Sequence, residues 1–177
     1  MNLYGFAGGD PVNFSDPFGL WPTWAHNLII QSVFGSKLSA ADISSMEAGS
    51  KYADRAATQG NGSTFIHSML SPGGSEADMR SARAAYVSGK LRTARALLDA
   101  DDRAGAMFAF GEAIHPLMDG TSPYHTGANG KPKTWESGNW LGAAGHGIGE
   151  YNTRPSNADM AKNRALLEDA YRQLQKP

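Results

Sequence analysis

From Trp21 onward the chain is punctuated as a series of helices, and this constrains its fold more than any other feature. Ser39 with Asp42 and Ser75 with Asp78 stand three apart. At that spacing a capping hydroxyl and a returning carboxylate satisfy the free N–H groups of a first helical turn. Trp24, Leu28, Ile29 and Val33 recur at helical spacing and stop at Gly35. Ile43, Met46, Ala53 and Ala57 make the apolar side of a second helix, with Asp54 on its polar side. Met79, Ala82 and Tyr86 predict a third helix ending at Gly89, and Leu91 to Leu98 a short fourth. Asp101 or Asp102 starts a long helix through Met107, Ile114 and Met118, stopped by Gly120. Residues 120–139 read as loop, and Leu141–Tyr151 and Asn157–Leu174 as final helices. The expected architecture is all-α, a compact multi-helix bundle.

Residues 1–20 are different in texture. Gly5, Gly8, Gly9, Pro11, Pro17 and Gly19 forbid a helix there and leave a short non-helical leader. The chain thus divides into residues 1–20 and a domain over 21–177, and 177 residues is the size of one domain with an appendage. No charged segment followed by an apolar one opens the chain, so no signal peptide of its own is expected. The 41% apolar fraction supports a core, and no run approaches the length of a membrane-spanning helix. A formal net charge of −1 gives the whole molecule no strong pull on nucleic acid or acidic membranes. Cysteine is absent, which removes disulfides, thiolate metal sites and thiol nucleophiles together.

Histidine carries the chemistry. His115 and Asp119 are four apart on the long helix, so both project from one face about one turn apart. His125 follows beyond Gly120 and Pro123, where the chain must turn back. His146 and Glu150 repeat the four-residue spacing, His67 follows the loop after Asp54, and His26 lies in the first helix. One His–Asp pair is ordinarily a surface or capping pair. Two such pairs and three further histidines, each on a separate helix or its adjoining loop, point to metal. Imidazole and carboxylate without thiolate is the ligand set of catalytic rather than structural zinc.

In order and local spacing, Trp21–His26, Asp54, His67, His115–Asp119–His125 and His146–Glu150 resemble the ligand series of the zinc-dependent phospholipase C family. The related single-strand-specific zinc nucleases share most of it. The segments Glu47–Asp54 and Ser63–His67 agree as well, and the resemblance spans about Trp21 to Tyr151. It implies a bundle built around two or three zinc ions. Asp54, His67 and His115 would hold the first, and His125, His146 and Glu150 the second. His26 with the amino nitrogen and carbonyl of an N-terminal Trp21 would hold the third, and Asp119 would bridge first and third. The chemistry implied is phosphodiester hydrolysis, with Asp54 and Asp119 as the catalytic carboxylates and Asp54 also handling a proton. The domain is shorter than the secreted enzymes of the family, so their substrate loops do not carry over.

The leader Asn2–Leu20 resembles the end of the Rhs repeat core, whose D-P-x-G-L closing motif is here Asp16–Leu20. In Rhs polymorphic toxins the segment after that motif is the toxin. The resemblance implies cleavage between Leu20 and Trp21, a shell formed by the Rhs core of the parent protein, a cognate immunity protein, and a secreted effector delivered into a target cell. Cleavage would also free the Trp21 amine, whose pKa of about 7.7–8.0 lets a metal displace its proton near neutrality.

The substrate is left open between phospholipid and nucleic acid. Glu150 as last ligand favours the phospholipase side, and the short Trp21–His26 spacing the nucleases. Phe65, Tyr124, Trp135 and Trp140 stand near ligand positions and are candidates for stacking on a base or holding a choline group. Arg80, Arg83, Arg92 and Arg95 form either a phosphate-binding face or a solvated helix surface. The leading expectation is a phospholipase C-like toxin acting on membrane phospholipids. A zinc nuclease toxin and a non-catalytic domain stabilised by metal are the alternatives.

Overall fold

Residues 23–127, 129–135 and 154–176 are described by the structure, a computed structural model. Among them are five α-helices: α1 (Thr23–Phe34), α2 (Ala40–Ala53), α3 (Glu76–Asp99), α4 (Arg103–Asp119) and α5 (Asn157–Gln175). Two 3-10 turns, Ala56–Thr58 and Thr64–His67, lie between α2 and α3. No strand occurs among the described residues, only isolated bridges pairing Leu70 with Thr134 and Thr126 with Pro132. The fold is all-α, as expected. The leader over residues 1–20 and the helix expected over 141–151 lie outside the described residues.

Capping chemistry sets the helix starts. Ser39 and Asp42 form a complete capping box, and the Ser75 hydroxyl accepts from the Asp78 N–H. Asp102 caps α4 through the Gly105 N–H, and Ser156 with Asp159 repeats the box at α5. The break expected at Gly89 does not occur, and α3 runs unbroken through it to Asp99. A helical glycine costs about 1 kcal/mol relative to alanine. Met79 before Gly89 and Leu91 and Ala94 after it are all buried on the core side, and continuing the helix keeps them there. Asp54 is likewise not on the polar side of α2 but is its C-cap.

The centre of the bundle is α4, which touches all four other helices. It is buried on nearly every side, as a helix apolar all round must be. Phe34, Met46, Met107, Phe110, Ile114, Met118 and Leu167 fill the core around it. The polar exceptions on this helix are Glu112, His115 and Asp119, which share one face. Glu112 is balanced by the Lys90 ammonium 2.7 Å away.

Glycine lets α2 and α4 approach backbone to backbone. A Cβ at Gly49 would lie 2.0 Å from the Phe108 carbonyl oxygen, and one at Gly111 2.1 Å from that of Met46. Gly49→Ala must therefore push apart α2 and α4, and with them Asp54, His115 and Asp119. We expect about 1–3 kcal/mol or more of destabilisation, read as a lower melting temperature by circular dichroism. An unchanged melt would show that the contact is easily relaxed.

The α3 arginines do not share one face. Arg83 and Arg92 are nine residues apart, about two and a half turns, and so fall on opposite sides. Arg80 pairs with Glu76, while Arg95 pairs with Asp99 and donates to carbonyls at the end of α5.

Candidate metal centre

One carboxylate organises the site. Asp119, the last residue of α4, is fully buried and has imidazoles around both oxygens. His26 from α1 places Nε2 2.9 Å from Oδ1. Around Oδ2 lie His115 Nε2 at 3.2 Å, His67 Nδ1 at 3.2 Å and His125 Nδ1 at 3.6 Å. The His67 and His115 nitrogens are 3.4 Å apart, and Asp54 Oδ1 is 3.9 Å from His67 Nδ1.

Local structure places each ligand. His115 and Asp119 follow from helical spacing alone. His67 ends the 3-10 turn Thr64–His67, where Ser68 adopts a left-handed φ of 56° that reverses the chain. That conformation is costly for a residue other than glycine. The Ser68 hydroxyl offsets the cost by donating to the Pro116 carbonyl at 2.5 Å, next to His115, and accepting from Arg83. His125 is carried on turns tied to the end of α4 through the Ser122 N–H to the Asp119 carbonyl. Its own carbonyl accepts from the Lys133 N–H, and the Leu70–Thr134 bridge then draws Trp135 across His67. The two rings stack at 5.6 Å.

Electrostatically the centre is a buried carboxylate with no lysine or arginine beside it among the described residues. Burial alone would push the Asp119 carboxyl up, but His115, His125 and their neighbours outweigh it and hold it well below the usual carboxylate range. Burial pushes His115 and His125 down to about 4, against the opposing pull of Asp119. Near neutrality these imidazoles are uncharged, with lone pairs to offer. Among the described residues no lysine or arginine lies within 4.0 Å of Asp119. A buried charge is tolerated when paired, and neutral imidazoles solvate a carboxylate without neutralising it.

The donor set fits a metal. His26, His115 and Asp119 form one group of closely placed ligand atoms, and Asp54, His67 and His115 another. Ligand atoms arranged tetrahedrally at bond lengths of about 2.0–2.1 Å are about 3.3 Å apart, close to the separations seen here. His67 Nε2 is buried without a hydrogen-bond partner. These His/Asp clusters can hold a metal ion.

Six expected ligands, His26, Asp54, His67, His115, Asp119 and His125, come together. Trp21, His146 and Glu150 lie outside the described residues, as do Leu20 and Trp140. Of the aromatic candidates, Trp135 is 5% exposed and is a wall of the centre rather than an open platform. Phe65 packs edge-on against Tyr86, and Tyr124 is half-buried against the main core.

Two supporting residues escaped the reading of the sequence. Gln59 donates to Asp54 Oδ1 at 3.0 Å. Ser50, buried on α2, places its hydroxyl 3.3 Å from His115 Nδ1, which leaves Nε2 to face Asp119. Ser50 stands one helical turn before Asp54, but its partner His115 is 65 residues away in sequence, so spacing gives no signal for it. Ser50→Ala should weaken metal binding about 10–100-fold, as loss of a ligand's hydrogen-bond partner typically does, with little change in helicity. Metal titration of the folded variant tests this, and unchanged affinity would assign Ser50 to packing alone.

The same burial predicts how the metal-free protein responds to acid. The folded-state values of about 4 for His115 and His125 lie below the ordinary 6.5. Between these values the unfolded chain takes up protons that the folded chain refuses, so stability falls as pH drops. The loss begins below about pH 6.5 and is complete near pH 4. Asp119 adds stability that is lost only at lower pH, because its value is depressed. Melting temperatures of the chelator-treated chain should decline through this window, and a flat profile would contradict neutral, buried imidazoles.

In comparisons with protein-family models, curated proteins and solved structures, nothing matches the chain.

Proposed function

We propose that the protein is a zinc-dependent phosphodiester hydrolase of phospholipase C type, acting on membrane phospholipids as a toxin domain. The observation that carries this reading is the buried Asp119 carboxylate, with four imidazoles around it and, among the described residues, no lysine or arginine within 4.0 Å. Asp54, His67 and His115 would hold one zinc ion, and His26 with Asp119 would contribute to another. Asp119 is shared, since its Oδ1 faces His26 and its Oδ2 faces His67 and His115. Zinc supplies a water of lowered pKa and charge to offset the phosphate oxygens.

The protein's own groups do the rest. Asp54 is the carboxylate suited to move a proton, because its side chain is 10% exposed while that of Asp119 is closed to solvent. The Gln59 amide fixes one Asp54 oxygen. Trp135 keeps water from one side of His67. The resemblance of the leader supplies the setting: an effector delivered into a target cell, released from its Rhs shell by cleavage after Leu20 and neutralised by an immunity protein.

The test is incubation of the zinc-loaded chain, whole and beginning at Trp21, with phosphatidylcholine vesicles and with single-stranded DNA. Release of diacylglycerol and phosphocholine, abolished by chelator, is the expected result. Cleavage of DNA instead would make the protein a nuclease. Inertness of both zinc-loaded forms towards both substrates would leave a metal-stabilised binding domain.

A further inference from the structure

At the C-terminal end of α4, beside the residues assigned to metal but lined by none of them, a chamber of about 160 Å³ opens between α3 and the turns after α4. Arg80, Arg83, Ser68, Gly120, Thr126 and Pro132 are among its lining residues. It shares Gly120, Thr126, Gly130 and Leu166 with a wider cleft of about 790 Å³, to which α5 contributes Lys162 and Asp159.

Arg83 is the unusual member. It is half-buried, and among the described residues no carboxylate lies within 4.0 Å of it. Its one protein acceptor there is Ser68 Oγ, at 3.0 Å from Nη1. Guanidinium carries five N–H donors in a planar fork, so most of the fork is open to the chamber. Gly120 makes room for it, since a Cβ there would come within 2.8 Å of Nη1. The charge is held at a cost, because burial and the neighbouring Arg80 both pull the Arg83 pKa below its ordinary value. Arg80 adds positive potential, although Glu76 pairs with it at 2.6 Å. The hydroxyls of Ser68 and Thr126 already donate to the carbonyls of Pro116 and Gly120, which leaves recognition to the arginines. Those carbonyls also give Arg83 a simpler role, as a cation at the negative end of α4. A helix end uses little of the fork and needs no chamber beside it.

We propose that this chamber is a binding site for a phosphate-type oxyanion, received on the open edge of the Arg83 guanidinium. The organic part of a small phosphomonoester has space in the adjoining cleft. Planar, forked donors match two phosphate oxygens at once, which a single ammonium does not. The inference is independent of hydrolysis at the metal centre.

The test is titration of the metal-free full chain with inorganic phosphate and with glycerol 3-phosphate at constant ionic strength, following the backbone amide resonances of Ser68, Gly120 and Thr126, which line the chamber and are retained in every variant. Chelator keeps the metal centre from contributing. Saturable binding is expected, weakened at least tenfold in Arg83→Gln. Should that variant not fold, Arg83→Lys keeps the charge and removes the fork, and a similar loss is expected. Tighter binding of glycerol 3-phosphate would make the occupant a phosphomonoester, and equal binding would make it free phosphate. Failure of both to saturate, or unchanged affinity in Arg83→Lys, overturns the proposal and leaves Arg83 as a partner of the α4 terminus.

Discussion

Asp119→Asn is expected to empty the centre while leaving the bundle folded. Asparagine has almost the same shape, so α4 can still end at Gly120 and the buried space stays filled. What disappears is the negative charge on which His26, His67, His115 and His125 converge. An amide also offers a donor where a carboxylate offers only acceptors, so one side of residue 119 would confront the ligand nitrogens with the wrong polarity. Loss of metal affinity should exceed the roughly 10–100-fold typical of removing a ligand's partner, because a ligand itself is lost from the group His26, His115, Asp119. Hydrolysis should fall with it. Metal content after dialysis, measured beside far-ultraviolet circular dichroism, separates this from unfolding. A folded Asp119→Asn chain with full metal content would make the carboxylate dispensable.

The second large effect is thermal. Metal-free, the protein buries Asp119 with no lysine or arginine within 4.0 Å among the described residues and leaves His67 Nε2 without a hydrogen-bond partner. A dication bound only by the folded state relieves the first cost and adds its binding free energy to stability. At about 1,000 times its Kd, one site contributes about 4 kcal/mol. With roughly 2–4 °C per kcal/mol for a domain of this size, the melting temperature rises on the order of 10 °C per site. Calorimetry of the chelator-treated chain with and without zinc should show that rise, and His115→Ala should reduce it. Equal melting temperatures would mean that the folded state has no preference for the ion.

How far the sequence reveals the molecule depends on whether a feature is local. Helix starts are local: Ser39 with Asp42, Ser75 with Asp78, and Asp102 each satisfy N–H groups of their own first turn, and each is found where expected. Gly89 shows where such reasoning fails. Its cost is local, but the burial of Met79, Leu91 and Ala94 that keeps α3 continuous is set by distant packing. The site divides in the same way. His115 and Asp119 are neighbours by helical period, whereas His26 meets Asp119 across 93 residues, which spacing alone cannot show. For Trp135 the sequence does not separate a substrate platform from a buried anchor, because only the bridge between Leu70 and Thr134 carries it onto His67. Ser50 went unnoticed because a lone serine mid-helix has no signal until His115 is placed opposite it.

The metal content of the full chain tests the centre most directly. Protein purified without chelator, loaded with zinc and freed of excess, should contain two or three zinc ions per chain by elemental analysis. The groups His26, His115, Asp119 and Asp54, His67, His115 should account for part of that number, so His115→Ala should lower it. A folded chain that retains no zinc after loading would contradict the metal centre, and with it the proposed hydrolase activity.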